Sequence, residues 1–452
     1  MITHARAGIF LALSIVGLGS LFSCQEANVN TSGGRLDSPP PREAPAETAR
    51  ARKTAPYMVE PDSGAPEIRV AIFKDIPSIH VTSALADALV TNGAGQEMLH
   101  LQTGGGVQID FAAVAAGGMT MSSIGPIAVS SGTPGASDGT IRIESPTGTP
   151  LKVNGQDVSA KMTLLRGKSG VTAIARLDLE EYLYGVLAGE VPFERWHPEA
   201  LKAQAIASRT YAYFQIKNNA AESYDVESTV MSQVFRSGYK DNPILSAAVT
   251  STRGLILTQN GQAISAYFHS TCGGRTENGL SIFPDQPQAR ALHGANCPYC
   301  TQSPNYHWKW VIGKDALTEK LRAACPKPPM GTIRSVEFAD ASGAIPTWTA
   351  ATLASATVTS PRRATLVRIR HAYGMFEMTG NAFRLAVGAR ELKSLLIAQS
   401  VDRVEAIEVS GGGFGHGVGM CQFGSQGMAL AGQKYATILG MYYSGSALTR
   451  MY

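Results

Sequence analysis

The strongest constraint on the fold is a pair of helix-forming segments parted by two prolines, set in a chain that otherwise reads as short strands and glycine turns. Leu179, Tyr182, Leu183, Val186 and Leu187 recur at i, i+3, i+4, i+7 and i+8, the stripe of a helix with a buried face. Asp178 stands in capping position, and Glu181 three residues later completes a box-like pattern. Pro192 ends that helix or lies just past it. Pro198 suits the first position of a second helix, with Glu199 complementing the N-terminal dipole. The second helix is expected to run to about Ile216.

On either side the pattern changes period. Residues 67–72 alternate and are rich in β-branched side chains, and apolar runs at 98–101, 107–111 and 140–143 are separated by Gly, Ser and Thr, which predicts strands. The stretch 117–139 reads as a long loop or a weak hairpin. Further strands are expected near 254–257, 263–269, 366–369 and 404–409, and helices over 315–324, 423–430 and 435–442. No internal repeat is visible. The expected class is α+β: β-rich segments flanking a helical region with a long substrate groove. It would occupy 66–452 as one region (β-rich 66–172, helical catalytic segment 173–220, β/α remainder 221–452). Hydrophobic content of 44% against 16% charged implies a globular chain, and a net charge of +4 over 452 residues is too small to attract nucleic acid in bulk.

The first 65 residues read differently. Residues 7–22 are largely apolar, too short for a membrane span and right for a signal-peptide core. They end Leu21-Phe22-Ser23-Cys24, the pattern of a lipobox, in which cleavage precedes Cys24 and its thiol carries lipid. Residues 1–23 are then a lipoprotein signal peptide; the alternative is an ordinary signal peptide with a chance cysteine. Either way the mature chain is exported. Gln25 after the cysteine, in place of Asp, leans toward the outer membrane if the cell is Gram-negative. Residues 24–65, rich in Pro, Ala, Ser and Glu, read as a flexible tether to the membrane.

Glu190 stands out chemically. It follows Gly189 at the end of an apolar helix and precedes Val191-Pro192. A carboxylate there lies near the negative end of the dipole and is partly desolvated, and both effects raise its pKa. A general acid working near neutral pH needs that; the ordinary alternative is a glutamate capping or salt-bridging at a helix end. On the next helix Lys202, Gln204 and Arg209 fall near the same turn; Gln and Arg suit sugar hydroxyls and carboxylates, with a solvated Lys202 and a structural Gln204 as the alternatives. The 415–419 turn lacks G-x-G-x-x-G in register and a surrounding βαβ unit, which excludes a dinucleotide loop. Its glycines would allow close approach to an extended ligand, with His416 and Gln422 near the groove; for His416 a structural role within the turn is the alternative.

Five cysteines follow Cys24: Cys272, Cys297, Cys300, Cys325 and Cys421. Five cannot pair fully within one chain. Cys297-Pro298-Tyr299-Cys300 has the C-x₂-C spacing of a zinc knuckle, and His269 and Cys272 lie just upstream. Those four, His269, Cys272, Cys297 and Cys300, would complete one tetrahedral structural zinc site with no open position for water. His293 and His307 are rival fourth ligands, and a disulfide from Cys272 to Cys297 or Cys300 is the alternative.

Three blocks carry a family resemblance: LDLEEYLYGVLAGEVPFERWHPEALKAQAIASRTYAYFQ over 177–215, AYFHSTCGGRTE over 266–277, and GHGVGMCQFGSQGMALAGQKYATILGMYYSG over 415–445. Together, and in this order, they resemble the SpoIID/LytB family of exported proteins acting on bacterial peptidoglycan. The resemblance implies that Glu190 is the catalytic residue of a lytic transglycosylase, protonating the leaving oxygen of the MurNAc–GlcNAc bond. It would then assist the MurNAc 6-hydroxyl in forming a 1,6-anhydro end, with no cofactor required for catalysis. Some relatives bind zinc near the second block, and family members usually carry Ser where this chain has Cys421. Other LytB-type relatives are described as non-catalytic amidase stimulators, and a glycan-binding scaffold is a third possibility. The implied partners are glycan strands, an amidase that strips their stem peptides, and the membrane through the lipid anchor.

Overall fold

The computed structural model describes residues 25–26, 64–111, 119–129, 139–229, 232–326, 329–340 and 363–452. Cys24, the expected signal segment and nearly all of the expected tether lie outside the described residues. Gln25–Glu26 pairs antiparallel with Gly374–Thr379. The chain forms two compact units, one built from 62–308 with 412–452, the other containing 309–411. Among the described residues, no helix is long and apolar enough to cross a membrane.

The first unit opens with two sheets. In the eight-stranded sheet Glu67–Ile76 lies between Val226–Glu227 and Val171–Asp178, and Lys161–Arg166, Thr140–Glu144, Ala88–Asn92, Glu97–Leu101 and Ile127–Val129 follow in order. The five-stranded sheet runs Gln156–Ser159, Leu151–Val153, Ser78–Thr82, Gly106–Phe111, Met119–Ile124. The last of these strands and Ile127–Val129 fall inside the stretch 117–139; its remaining parts, 117–118 and 130–138, are outside the described residues. Alternation does the folding: Ile68 and Val70 from one sheet, and Ile79, Val81, Val107 and Ile109 from the other, meet in one core.

Two helices close that core. Helix α1 spans Leu179–Glu190 and helix α2 Pro198–Asn218. Asp178 caps α1 by accepting from the amides of Glu180 and Glu181. Tyr182 and Val186 pack on the sheets, whereas Leu183 and Leu187 pack into a second core with α2 and the helices Gln422–Leu430 and Tyr435–Tyr442. Helix α1 is therefore buried on two sides, which is why its apolar stripe is wide. Helix α2 is equally enclosed: Ala200, Ala203, Ala205, Ala207 and Ala212 are all buried, and their small side chains let neighbours approach. Its N-cap is His197, whose Nδ1 accepts from the amide of Glu199.

The second unit is a smaller α+β body. Ile333–Ala339, Leu366–His371 and Gly374–Thr379 pair antiparallel, and the helices Lys314–Ala324 and Gly380–Val387 accompany them. Phe338, Val367, Ile369, Phe376 and Phe383 are buried there.

Candidate active site

Glu190 is the last residue of α1, and its carboxyl is held from two sides. Oε1 accepts from the amide of Val234 at 2.7 Å. Oε2 accepts from Nε2 of Gln422 at 3.4 Å. Glu190 is half-buried as a residue, but protein crowds its carboxyl. Burial raises its pKa to about 7, against the lowering pull of those two hydrogen bonds. Near neutral pH such an acid is roughly half protonated, so it can give a proton and take one back.

The loop bringing Val234 to the acid is seated by two glycines of α1. A Cβ on Gly189 would lie 2.2 Å from the carbonyl oxygen of Val234, and one on Gly185 would lie 2.4 Å from the ring of Phe235. Lying one turn apart, they leave a bare strip on the helix. The amide of Arg236 donates to the carbonyl of Gly185 at 3.1 Å. Tyr182 stacks on Phe235 at 5.5 Å and donates to Gln233, whose amide donates to the carbonyl of Ser208. Tyr182 and Tyr211 are buried near Glu190; burial first, and then neighbouring charges that include Glu190, raise both phenols. The loop 232–236 was not apparent from the sequence, although the Gly185/Gly189 spacing marks where it docks.

Of the other expected groove residues, Gln422 reaches the acid, whereas Arg209, Gln204, Lys202 and His416 are bonded elsewhere. Arg209 is fully buried and holds both carboxylate oxygens of Glu180 at 2.8 Å. Glu180 also accepts from the amide of Gly254 and the phenol of Tyr452. Burial would raise the Glu180 pKa, but Arg209 and these donors bring it below its ordinary value. Arg209 thus ties α1, α2 and the 252–255 turn together. Gln204 is buried and donates to Ser208 at 3.0 Å. Lys202 pairs with Glu199 at 2.9 Å, and Glu199 also accepts from the amide of Tyr435.

The glycine turn packs on the chain itself. A Cβ on Gly419 would stand 1.9 Å from the carbonyl oxygen of Tyr267, and one on Gly415 would meet the Cβ of His269 at 2.7 Å. The bare backbone lets Met420–Cys421 pair in parallel with Phe268–His269. His416 locks the same junction: Nε2 donates to the carbonyl of Phe268 at 2.9 Å, while Nδ1 accepts from the amide of Val418 at 3.1 Å.

The cysteines assemble differently from the expected set. The sulfurs of Cys272, Cys297, Cys300 and Cys421 all lie within 4.8 Å of one another, and all four residues are buried. These four are free thiols, so the Cys272 disulfide is not formed. His269 is outside this group; its Nδ1 bonds the carbonyl of Val418 at 3.0 Å. Cys421, one residue before Gln422, supplies the fourth ligand atom in its place. A Zn–S bond of about 2.3 Å implies sulfurs about 3.8 Å apart in a tetrahedron, and the Cys272 and Cys300 sulfurs are 3.4 Å apart. Amides of Cys272 and Gly424 each donate to the Cys421 sulfur at 3.2 Å, as suits a thiolate ligand. Burial raises the thiols of Cys272 and Cys421, whereas hydrogen bonding with Cys272 lowers those of Cys297 and Cys300. Four buried cysteine sulfurs within reach of one another are compatible with a metal ion, and an all-cysteine donor set is of the kind that suits zinc.

Fold and site define an α+β protein with a buried, near-neutral acid at the end of a helix and a four-cysteine cluster beside it. The family model described as Stage II sporulation protein, SpoIID, matches residues 167–259, a span containing Glu190, α2 and Val234. A protein of Brachyspira hyodysenteriae is 30% identical over 295 residues, 65% of this chain and 72% of its own. Stage II sporulation protein D of Bacillus subtilis is 30% identical over 297 residues, 61% of this chain and 76% of that protein. The amidase enhancer of Bacillus subtilis is 29% identical over 302 residues, 59% of this chain but only 40% of that protein. The chain belongs to the SpoIID family.

Proposed function

We propose that the protein is a peptidoglycan lytic transglycosylase with Glu190 as its general acid and base. The observation that carries this reading is the protein-enclosed carboxyl of Glu190, poised near pH 7 between Val234 and Gln422. Glu190 would protonate the glycosidic oxygen between MurNAc and GlcNAc as the C1–O bond breaks. The carboxylate would then take the proton of the MurNAc 6-hydroxyl as that oxygen closes on C1. The acid is regenerated, and because no water enters, the second carboxylate of an ordinary glycosidase is not required. Digesting purified sacculi and assaying 1,6-anhydromuropeptides tests the reading; the parent should release them and a Glu190→Gln form should not.

A second reading, stimulation of a cell-wall amidase, is favoured by the printed name of the amidase enhancer relative. It would leave sacculi uncut by the isolated protein while accelerating an added amidase. On either reading glycan strands are the ligand and an amidase is a natural partner. A zinc ion on Cys272, Cys297, Cys300 and Cys421 would cross-link three segments and take no part in bond cleavage. Export and lipidation at Cys24 complete the proposal, with the outer membrane the destination in a Gram-negative cell. A Cys24→Ala form should lose membrane partition and the lipid mass.

A further inference from the structure

The first unit holds a group of aromatic rings that the chemistry above does not use. Tyr267, Phe283 and His416 form a triangle: ring centroids are 5.3 Å apart for Tyr267–Phe283, 5.4 Å for Phe283–His416 and 5.9 Å for Tyr267–His416. Tyr211, which senses the Glu190 charge, stands 5.9 Å from Tyr267. Tyr211 thus links the triangle to the surroundings of Glu190.

All three rings of the triangle are half-buried. A cluster of aromatic surface kept partly in contact with water forgoes burial energy, and such clusters commonly mark a ligand face. The charge state narrows the ligand. His416 has both ring nitrogens committed to backbone, donating through Nε2 and accepting through Nδ1, which fixes it as a neutral ring. Tyr267 donates its hydroxyl to Oε1 of Gln286 at 2.6 Å. The triangle therefore offers uncharged rings with an amide at the edge, poorly suited to an anion. It matches a pyranose, whose C–H face is apolar and whose rim carries hydroxyl and acetamido groups.

We infer that Tyr267, Phe283 and His416 form a stacking subsite for an N-acetylated pyranose of a β-1,4-linked strand, next to the bond presented to Glu190. Phe283 is the member whose removal tests this, since its side chain, unlike that of His416, holds no backbone group. The inference rests on the proposed function for the identity of the strand, but its test reads binding alone.

Calorimetric titration of the non-cleaving Glu190→Gln protein with chitohexaose, and separately with soluble peptide-free glycan strands, measures the subsite. Removing one stacking ring should weaken binding about tenfold. Phe283→Ala in that background is expected to show this loss, and Phe283→Tyr to keep parental affinity with an unchanged melting temperature. Binding of both probes points to the GlcNAc unit, and binding of the strands alone to a unit bearing the lactyl group. Equal affinity of the Ala and parental forms overturns the inference, as does failure of the parent to bind either probe. Absence of anhydro products from the unmutated protein would instead strike the catalytic proposal and leave a measured Phe283 effect standing.

Discussion

Gln422 and Glu190 are 232 positions apart in the chain, yet the amide of one donates to the carboxyl of the other at 3.4 Å. That bond joins the end of α1 to the start of the helix Gln422–Leu430. It favours the ionised acid and so opposes the upward shift caused by burial. A general acid must be protonated to act, so anhydro-product formation should fall as pH rises through about 7. Gln422→Leu removes a donor to the carboxylate, raises the Glu190 pKa further and should move that alkaline limb to higher pH. The rate of product release from sacculi between pH 5 and 9 checks it; a limb that stays put or moves down counts against the pairing.

The same shift has a consequence for stability. The Glu190 pKa lies near 7 in the fold against 4.5 unperturbed. The folded chain therefore holds this proton more tightly than the unfolded chain. Below the unfolded pKa both states are protonated and burial of the group carries no ionisation penalty. As pH rises through the folded pKa, stability is lost, to a limit on the order of 3 kcal/mol. Glu190→Gln removes the ionisable group while retaining an amide of the same shape. Its melting temperature should exceed the parent's at pH 8 by several degrees, with the gain shrinking toward pH 4.

Gly189 should be intolerant of even one methyl group. Alanine is ordinarily preferred to glycine inside a helix by about 1 kcal/mol, but here its Cβ would stand 2.2 Å from the carbonyl oxygen of Val234. Displacing that loop also displaces the amide that holds Glu190. Gly189→Ala should cost about 1–3 kcal/mol in denaturant titration and depress activity. Gly440 is the control, a helical glycine whose added Cβ meets nothing within 4 Å. Gly440→Ala should be neutral or stabilising, with activity unchanged.

How far the sequence reveals this site depends on how local each cause is. Helices α1 and α2 follow from apolar spacing, a capping Asp178 and Pro198, all within one turn or two of the residue concerned, and Glu190 at the end of α1 is legible for the same reason. The expected helix over 435–442 likewise coincides with Tyr435–Tyr442. Arg209 suggests a groove because a guanidinium suits sugar hydroxyls and carboxylates. Its partner Glu180 lies 29 positions away on another helix, and only packing brings the two into the same buried place. Val234 acts through a backbone amide, so its side chain carries no sign of the role. Cys421 carries no local sign of a metal site as the C-x₂-C pair does, since its distance from the other three is set by the parallel pairing of Phe268–His269 with Met420–Cys421.

Cys421 offers the sharpest test of the cysteine cluster because it has two separable roles. Its sulfur caps the helix Gln422–Leu430 by accepting from the amide of Gly424, and it is the fourth sulfur of the group. Serine caps helices well but is a poor replacement for a thiolate on zinc. Cys421→Ser should therefore keep the helix start, and with it Gln422 near Glu190, while weakening metal binding. The parent should purify with about one zinc per chain, and the serine form with less. A strong chelator should lower the parent's melting temperature and have little effect on the variant's, since metal that binds only the folded state stabilises it. Metal-free parent protein whose melting temperature ignores both chelator and added zinc would refute the zinc assignment. A Cys272-linked peptide recovered from a non-reducing digest and lost on reduction would do the same, leaving the chemistry at Glu190 to be judged on its own products.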